Sequence, residues 1–312
     1  MELQKQIEEF VVLIEQVQSE LHKKIVGQET LIRDILIGLL SGGHVLLEVP
    51  GVAKTLTIDT LSQALDIDFK RIQFTPDLLP SDLVGSEIYN INSGEFSTKK
   101  GPIFTNLLLA DEINRAPSKV QSALLEAMAE KQITLDTSYI LDEPFIVLAT
   151  QNPIEQSTYP LPEAELDRFM LKSKVDYPTK AQEVEILTRL SEIENGATKK
   201  ILSATQLLKI RKTIDQITVS QNIIAYISNI IDASRQPNTM LRYVSPRGSI
   251  SLLKAAKVVA FLEKRDFVIP EDIKAVAVSV MAHRLVLSYE AIAEDISNEA
   301  IAEKIIASVK IK

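Results

Sequence analysis

The sequence predicts an α/β fold in which a mostly parallel sheet carries helices on both faces and an all-α part follows. Three observations predict it. Short apolar runs suited to buried strands recur at 44–49, 69–74, 107–110, 145–150 and 169–175. Helical patterns separate several of them, at 55–65 and 119–131, and strands that alternate with helices form a parallel sheet covered on both sides. After Tyr177-Pro178 only helical patterns remain.

The elements follow in order. Ile7, Phe10, Ile14, Val17 and Leu21 recur at spacings of 3, 4, 3 and 4, one apolar stripe along a helix. Gly27 ends it, a second helix runs through 31–40, and Gly42-Gly43 breaks that helix before the first strand. Two stretches read as hairpin insertions. One, 85–96, alternates apolar residues around an Asn92-Ser93-Gly94 turn; the other, 132–145, turns near Asp136-Thr137-Ser138. Beyond Pro178, helices fall at roughly 180–194, 204–214, 220–234, 246–263, 270–285 and 293–308, with a break at Asn195-Gly196. The change of pattern puts a domain boundary near Pro178, dividing the chain into 1–178 and 179–312.

Composition excludes several classes. Hydrophobic residues make up 46% of the 312 and charged residues 24%, ordinary for a globular chain. Aromatic residues are only 5% and Trp is absent, so the core is aliphatic. The balance of 34 basic against 42 acidic residues leaves a net charge of −8. That argues against nucleic acid as the main ligand, because a basic face supplies most of that affinity. Without Cys there is no disulfide and no thiolate metal site. The opening residues lack the basic and then apolar regions of a secretory signal, and no apolar run approaches the ~18 residues of a membrane helix. These readings place the chain in the cytoplasm.

The candidate site lies at strand ends. Pro50-Gly51-Val52-Ala53-Lys54-Thr55 follows a strand and opens a helix, the context in which backbone N–H groups and a helix N-terminus face a phosphate. Lys54 would reach the β and γ phosphates and Thr55 would hold Mg²⁺. The pattern G-x-x-x-x-G-K-S/T asks for Gly where this chain has Glu48 and Ala53. Taken alone, the segment reads equally well as a polar turn with a surface lysine. The run at 107–110 ends in Asp111-Glu112, and buried parallel strands end at the carboxyl edge, where ligands sit in open α/β sheets. Asp111 would hold Mg²⁺ and Glu112 would polarise the attacking water. A lone Asp-Glu entering a helix says little; one that caps an apolar strand 111 − 54 = 57 residues after Lys-Thr says much more. The run at 145–150 leads to Gln151-Asn152-Pro153. Asn-Pro alone is a turn, but beside the other two strand ends Asn152 is suited to bond the γ-phosphate or the water.

Two arginines complete the set. Arg168 follows Asp167 just before the last strand, as an arginine finger for a neighbouring subunit or as half of a local ion pair of little weight. In Ser245-Pro246-Arg247-Gly248, Ser245 suits a helix N-cap and Pro246 the first turn. Arg247 then sits where the macrodipole disfavours a cation, which suggests that it serves an anion such as the γ-phosphate. His22, His44 and His283 lie at unrelated points and suggest no metal site, and Lys99-Lys100 reads as a solvated pair.

Together these stretches resemble the MoxR branch of the AAA+ ATPases. The likeness is carried by Val26-Gly27-Gln28, the phosphate loop, Leu-Ala-Asp-Glu-Ile-Asn-Arg-Ala-Pro at 109–117 and Ala-Thr-Gln-Asn-Pro at 149–153. Tyr-Pro-Leu-Pro-Glu-Ala-Glu-Leu-Asp-Arg-Phe at 159–169 and Ser-Pro-Arg at 245–247 extend it. The resemblance implies a P-loop AAA+ αβα core with a five-stranded parallel sheet, an all-α lid domain, ATP and Mg²⁺ between them, and a homo-oligomeric ring, hexameric in form. It places Val26 and Gly27 near the adenine, and Pro50, Gly51, Val52, Ala53, Lys54, Thr55 and Leu56 around the nucleotide. It makes Asn152 sensor 1, Arg168 the finger and Arg247 sensor 2. The hairpin at 85–96 resembles the helix-2 insert of this clade and that at 132–145 the pre-sensor-1 hairpin. The resemblance further implies remodelling or maturation of protein clients, with partners that carry a von Willebrand factor A domain. The chain departs from the pattern at Glu48-Val49, Leu135-Asp136 and Gln156-Ser157-Thr158, each one residue short where Gly usually stands. The first departure leaves open a ring that binds nucleotide or scaffolds with little hydrolysis. A magnesium-chelatase-like motor subunit, from the same clade, is the other alternative.

Overall fold

Strands that are apolar along their whole length need cover on both faces, and the helices of this chain supply it. The computed structural model describes residues 2–48, 53–90, 94–135, 137–151, 159–174, 177–235, 240–242 and 244–311; for 53, 54, 90, 240–242, 290 and 292 it describes the backbone alone. Helices α1 (Glu2–Lys24) and α2 (Glu29–Ser41) lead to β1 (Val45–Glu48). Then come α3 (Ala53–Ala64), β2 (Phe69–Gln73), β3 (Leu107–Asp111), α4 (Ser118–Glu130), β4 (Ile146–Gln151) and β5 (Leu171–Lys174). The five strands form one parallel sheet in the order β5-β1-β4-β3-β2. The helical part holds α5 (Lys180–Thr188), α6 (Leu190–Asn195), α7 (Ala204–Asp215), α8 (Gln221–Ala233), α9 (Pro246–Leu262), α10 (Pro270–Met281) and α11 (Asn298–Ser308).

Alternation along the strands divides the interior in two, because successive side chains point to opposite faces. Val45, Leu47, Leu107, Leu109, Ile146 and Leu148 join α1, α2 and the helical part in one cluster. Leu46, Leu108, Ala110, Val147 and Ala149 join Val120, Leu124 and Met128 of α4 in the other. Each fully buried leucine stabilises the fold by roughly 1.5–3 kcal/mol. The edge strand β2 is only half covered, which is why it tolerates Lys70, Arg71 and Gln73.

Three details depart from the sequence reading. The part after Pro178 is not purely helical: Leu202–Ser203 pairs in parallel with Leu65–Asp66, and Met240–Arg242 pairs antiparallel with Val286–Leu287. Runs this short carry no periodic signal. The helix expected over 180–194 breaks at Arg189, whose guanidinium donates to the carbonyls of His22 and Lys23 at 2.9 and 2.7 Å. Those carbonyls belong to the last turns of α1, where intrahelical donors run out. The hairpins also differ in extent, with strands at Gly85–Asn90 and Glu95–Lys100 and at Gln132–Thr134 and Ser138–Ile140. Lys99 and Lys100 therefore lie within a strand, with the Lys100 ammonium 4.9 Å from the Phe104 ring centroid.

The path of α2 fixes the polarity of the site. It ends at Gly42-Gly43, directly before the amino end of β1. At about 1.5 Å per residue its 13 residues run roughly 20 Å back toward the carboxyl end. Val26 and Gly27, just before α2, thus stand at the carboxyl edge of the sheet.

Candidate functional site

Register brings the polar strand ends level. Glu48 pairs with Gln151, Gln73 with Asp111, and Ala110 with Ala149, so Asp111 stands beside Thr150. Thr150 is fully buried. Its hydroxyl donates to Asp111 Oδ1 at 2.6 Å and accepts the Glu112 backbone N–H at 2.8 Å. Arg71 donates to Asp111 Oδ2 at 2.7 Å. The Glu112 carboxylate accepts from Gln73 Nε2 at 2.8 Å and from Arg115 Nη1 at 2.9 Å. Glu112 itself adopts a left-handed backbone, φ 56° and ψ 50°, uncommon for a residue with a side chain. Strain of this kind persists where surrounding bonds over-determine it, and here three side chains do.

Helix α3 starts at Ala53, directly after the stretch that follows β1, with Thr55 and Leu56 half-buried in its first turn. Glu48, the last residue of β1, is held by the Lys172 ammonium and by Gln151 Nε2 at 3.1 Å. Burial raises its pKa, but these partners outweigh burial and keep the carboxyl below its usual range. Val26 is buried, and Gly27 has φ 67° with the Gln182 side chain over it; a Cβ there would fall 2.2 Å from Gln182 Nε2. Pro50, Gly51, Val52, Asn152 and the side chains of Ala53 and Lys54 lie outside the described residues, as do Asn92, Ser93 and Asp136 at the hairpin turns.

Arg168 and Arg247 are not in this group. Arg168 precedes β5, whose amino end pairs with that of β1, so it stands at the opposite edge. Its Nη1 donates to the Leu125 carbonyl at 2.8 Å. Arg168 and Arg247 line one cavity of about 210 Å³ with Lys131, Lys254 and Gly43. Asp167 does not pair with Arg168. It accepts from Arg284 Nε at 2.9 Å and from Ser245 Oγ at 2.8 and 2.9 Å, and it lies 3.8 Å from Arg247 Nη1. Arg284 is almost wholly buried and also donates to the carbonyls of Asp167, Phe169 and Met170 at 3.2, 2.6 and 3.0 Å. Burial pulls its pKa below the usual guanidinium value, and Asp167 opposes that pull. Arg284 is thus a clamp that fixes the segment bearing Arg168 to the helical part.

Sequence reasoning passed over Arg71, Gln73, Thr150, Lys131, Lys254 and Arg284. Two carried a signal. Thr150 is a polar residue ending an apolar strand, and a buried hydroxyl needs partners. Lys254 lies two helical turns after Arg247, on the same face of α9. His44 is structural: its Nδ1 accepts from Val147 N at 2.9 Å, and burial pushes its pKa down to about 4. Among the described residues, no group of three His, Asp or Glu could hold a metal, and no helix is long and apolar enough to cross a membrane.

A five-stranded sheet in this order with acidic strand ends, joined to a helical part, defines a nucleotide-binding αβα ATPase fold. Residues 44–171 match the profile of the ATPase family associated with various cellular activities (AAA), and residues 234–305 that of the AAA lid domain. The chain is 44% identical over 302 residues to Chaperone MoxR1 of Mycobacterium tuberculosis, spanning 93% of this chain and 80% of that protein. It is 43% identical over 297 residues to uncharacterized protein YeaC of Bacillus subtilis, spanning 94% and 93%. A crystal structure of a candidate ATPase from Cytophaga hutchinsonii shares 48% identity, with a TM-score of 0.92 over 99% of this chain and 97% of that one. The chain belongs to the MoxR-type AAA+ ATPases.

Proposed function

We propose that this chain binds ATP with Mg²⁺ at the carboxyl edge of its sheet and hydrolyses it within a ring of its own copies, driving conformational change in a protein client. The single observation that carries this is the separation of the two halves of the site. Asp111, Glu112 and Thr150 lie at one edge, and Arg168 and Arg247 at the other. Gly43 to Glu48 spans five residue steps, roughly 16 Å at 3.3 Å each. Only a second copy, set head to tail, brings such arginines onto the nucleotide.

In this reading the αβα core is 1–178 and the helical lid 179–312. Lys54 and the N-terminus of α3 hold the phosphates, with Val26 and Gly27 beside the adenine. Thr55 and Asp111 offer the hard oxygen donors that Mg²⁺ takes. When bound, Mg²⁺ neutralises charge on the phosphates. Glu112, held by Gln73 and Arg115, takes a proton from the attacking water, and Asn152 orients that water. Arg168 and Arg247 of the neighbour offset the charge that develops in the transition state, an effect worth ~10³–10⁵ in rate for an arginine finger. The name of the mycobacterial relative, a chaperone, favours a protein client. A hexamer, a von Willebrand factor A-domain partner and a cytoplasmic site of action complete the proposal.

A second reading has one observation in its favour. No Gly stands between Glu48 and Val49 where one is expected, and Glu48 is tied to Lys172 and Gln151. A tightened loop would leave a ring that binds nucleotide but turns it over slowly. Phosphate release decides between them: the parent should hydrolyse ATP, and Glu112→Gln should bind ATP while losing turnover. Parental turnover no faster than that of Glu112→Gln would favour the scaffold.

A further inference from the structure

We propose that the apolar groove between α8 and α9 receives helix α5 of a second copy of this chain. The inference rests on the ring reading above and names the contact that aligns it.

Helix α5 carries aliphatic side chains that the monomer leaves uncovered. It buries no residue fully. Val184 and Leu187, at i and i+3, are 57% and 72% exposed, and Leu190, the first residue of α6, is 44% exposed. Its covered side holds Gln182, which lies against Gly27, half-buried Ile186, and Arg189, which at the C-terminal end donates to the end of α1. A run of large exposed aliphatic side chains on a helix marks an interaction surface.

The groove is the matching concave surface. It encloses about 410 Å³ and is lined by Ile224, Ile227, Ile231, Ile250 and Leu253, with Ile224 and Ile250 themselves half open to solvent. Asp232 and Arg235 also line it, opposite in sign to Lys180 and Glu183 of α5. Contact between two α5 helices would set Glu183 and Glu185 against their own copies, and two grooves would meet concave to concave. The complementary pairing is therefore groove to helix.

Position selects the same pairing. Ile250 lines both the groove and the cavity of Arg168 and Arg247. Gln182 of α5 lies against Gly27, which the path of α2 sets at the carboxyl edge. The two patches thus adjoin the two halves of the divided site. A head-to-tail contact that carries Arg168 toward a neighbour's strand ends carries the groove toward that neighbour's α5. Such heterologous contacts close into rings when the rotation allows.

The chain has no Cys, so cross-linking has no background. Leu187→Cys and Ile250→Cys are prepared separately, mixed with a non-hydrolysable ATP analogue and Mg²⁺, and treated with a short bismaleimide. The mixture should give a covalent dimer, neither variant alone should, and the double variant should give a ladder of higher species. Leu187→Glu should keep the parent's helical content and melting but weaken assembly by roughly tenfold or more, since burial of one leucine is worth that much. Assembly by light scattering without a mixed dimer overturns the contact and leaves the ring reading standing. Equal cross-linking by either single variant overturns it in favour of a like-to-like contact. A parent that stays monomeric at every concentration with nucleotide overturns both readings.

Discussion

The Thr150 hydroxyl is the most exacting test of the candidate site. Thr150→Val keeps the shape and removes the hydroxyl. Two bonds disappear: the 2.6 Å bond to Asp111 Oδ1 and the 2.8 Å bond from Glu112 N. The residue is fully buried, so no water replaces them without rearrangement. Each buried group left unpaired costs about 1–3 kcal/mol, so the variant should lose about 2–6 kcal/mol. A domain stable by ~5–15 kcal/mol still folds after such a loss. Thr150→Ser keeps both bonds and gives up one methyl, about 1 kcal/mol. Urea denaturation gives the stabilities, and phosphate release the turnover. Glu112 holds its left-handed backbone partly through this hydroxyl, so turnover should fall roughly 100-fold in the valine variant, the cost of misplacing a reacting group by about 1 Å. The serine variant should stay near the parent. Valine and serine variants equal within ~0.5 kcal/mol and equally active would refute the positioning argument, since independent errors in such comparisons are of that size.

Three further outcomes are expected. Arg168→Ala should bind ATP nearly as well as the parent but turn it over slowly, and mixing it with Glu112→Gln should restore part of the activity; turnover linear in protein concentration with no rescue would make Arg168 a local residue. His44 has a folded pKa of about 4 against an ordinary 6.5, so the unfolded state binds more protons between those values. Its contribution is full above pH 6.5 and is lost as pH falls toward 4, about 2 kcal/mol between pH 7 and 5, and urea denaturation of His44→Gln should show that much less pH dependence. Arg284→Ala leaves Asp167 without its buried partner and should cost about 3–5 kcal/mol in urea denaturation; a loss under ~1 kcal/mol would mean that Arg247 and Ser245 suffice to hold Asp167.

The strands and long helices were legible because their signals are local. A buried parallel strand is a short apolar run whatever its neighbours, and 107–110 and 145–150 reappear as Leu107–Asp111 and Ile146–Gln151. The location of Asp111 at a strand end follows from the same run. The edge on which Arg168 falls was legible too, since a residue just before a strand of a parallel sheet stands at its amino end. That inference needed only the direction of the chain.

What the sequence by itself determined is the main strands and the longer helices, their order and the acidic strand ends, because hydrophobic period and turn residues act over a few positions. Tertiary structure alone decided the company these residues keep. Arg71 and Gln73 reach Asp111 and Glu112 because β2 and β3 pair in one register, and register is set by the packing of both faces. Arg284 closes on Asp167 from 117 residues away, and Ile250 of α9 lines both the groove and the cavity of Arg168. Such pairings depend on how whole layers stack against each other, and neither residue's local sequence carries a trace of the other.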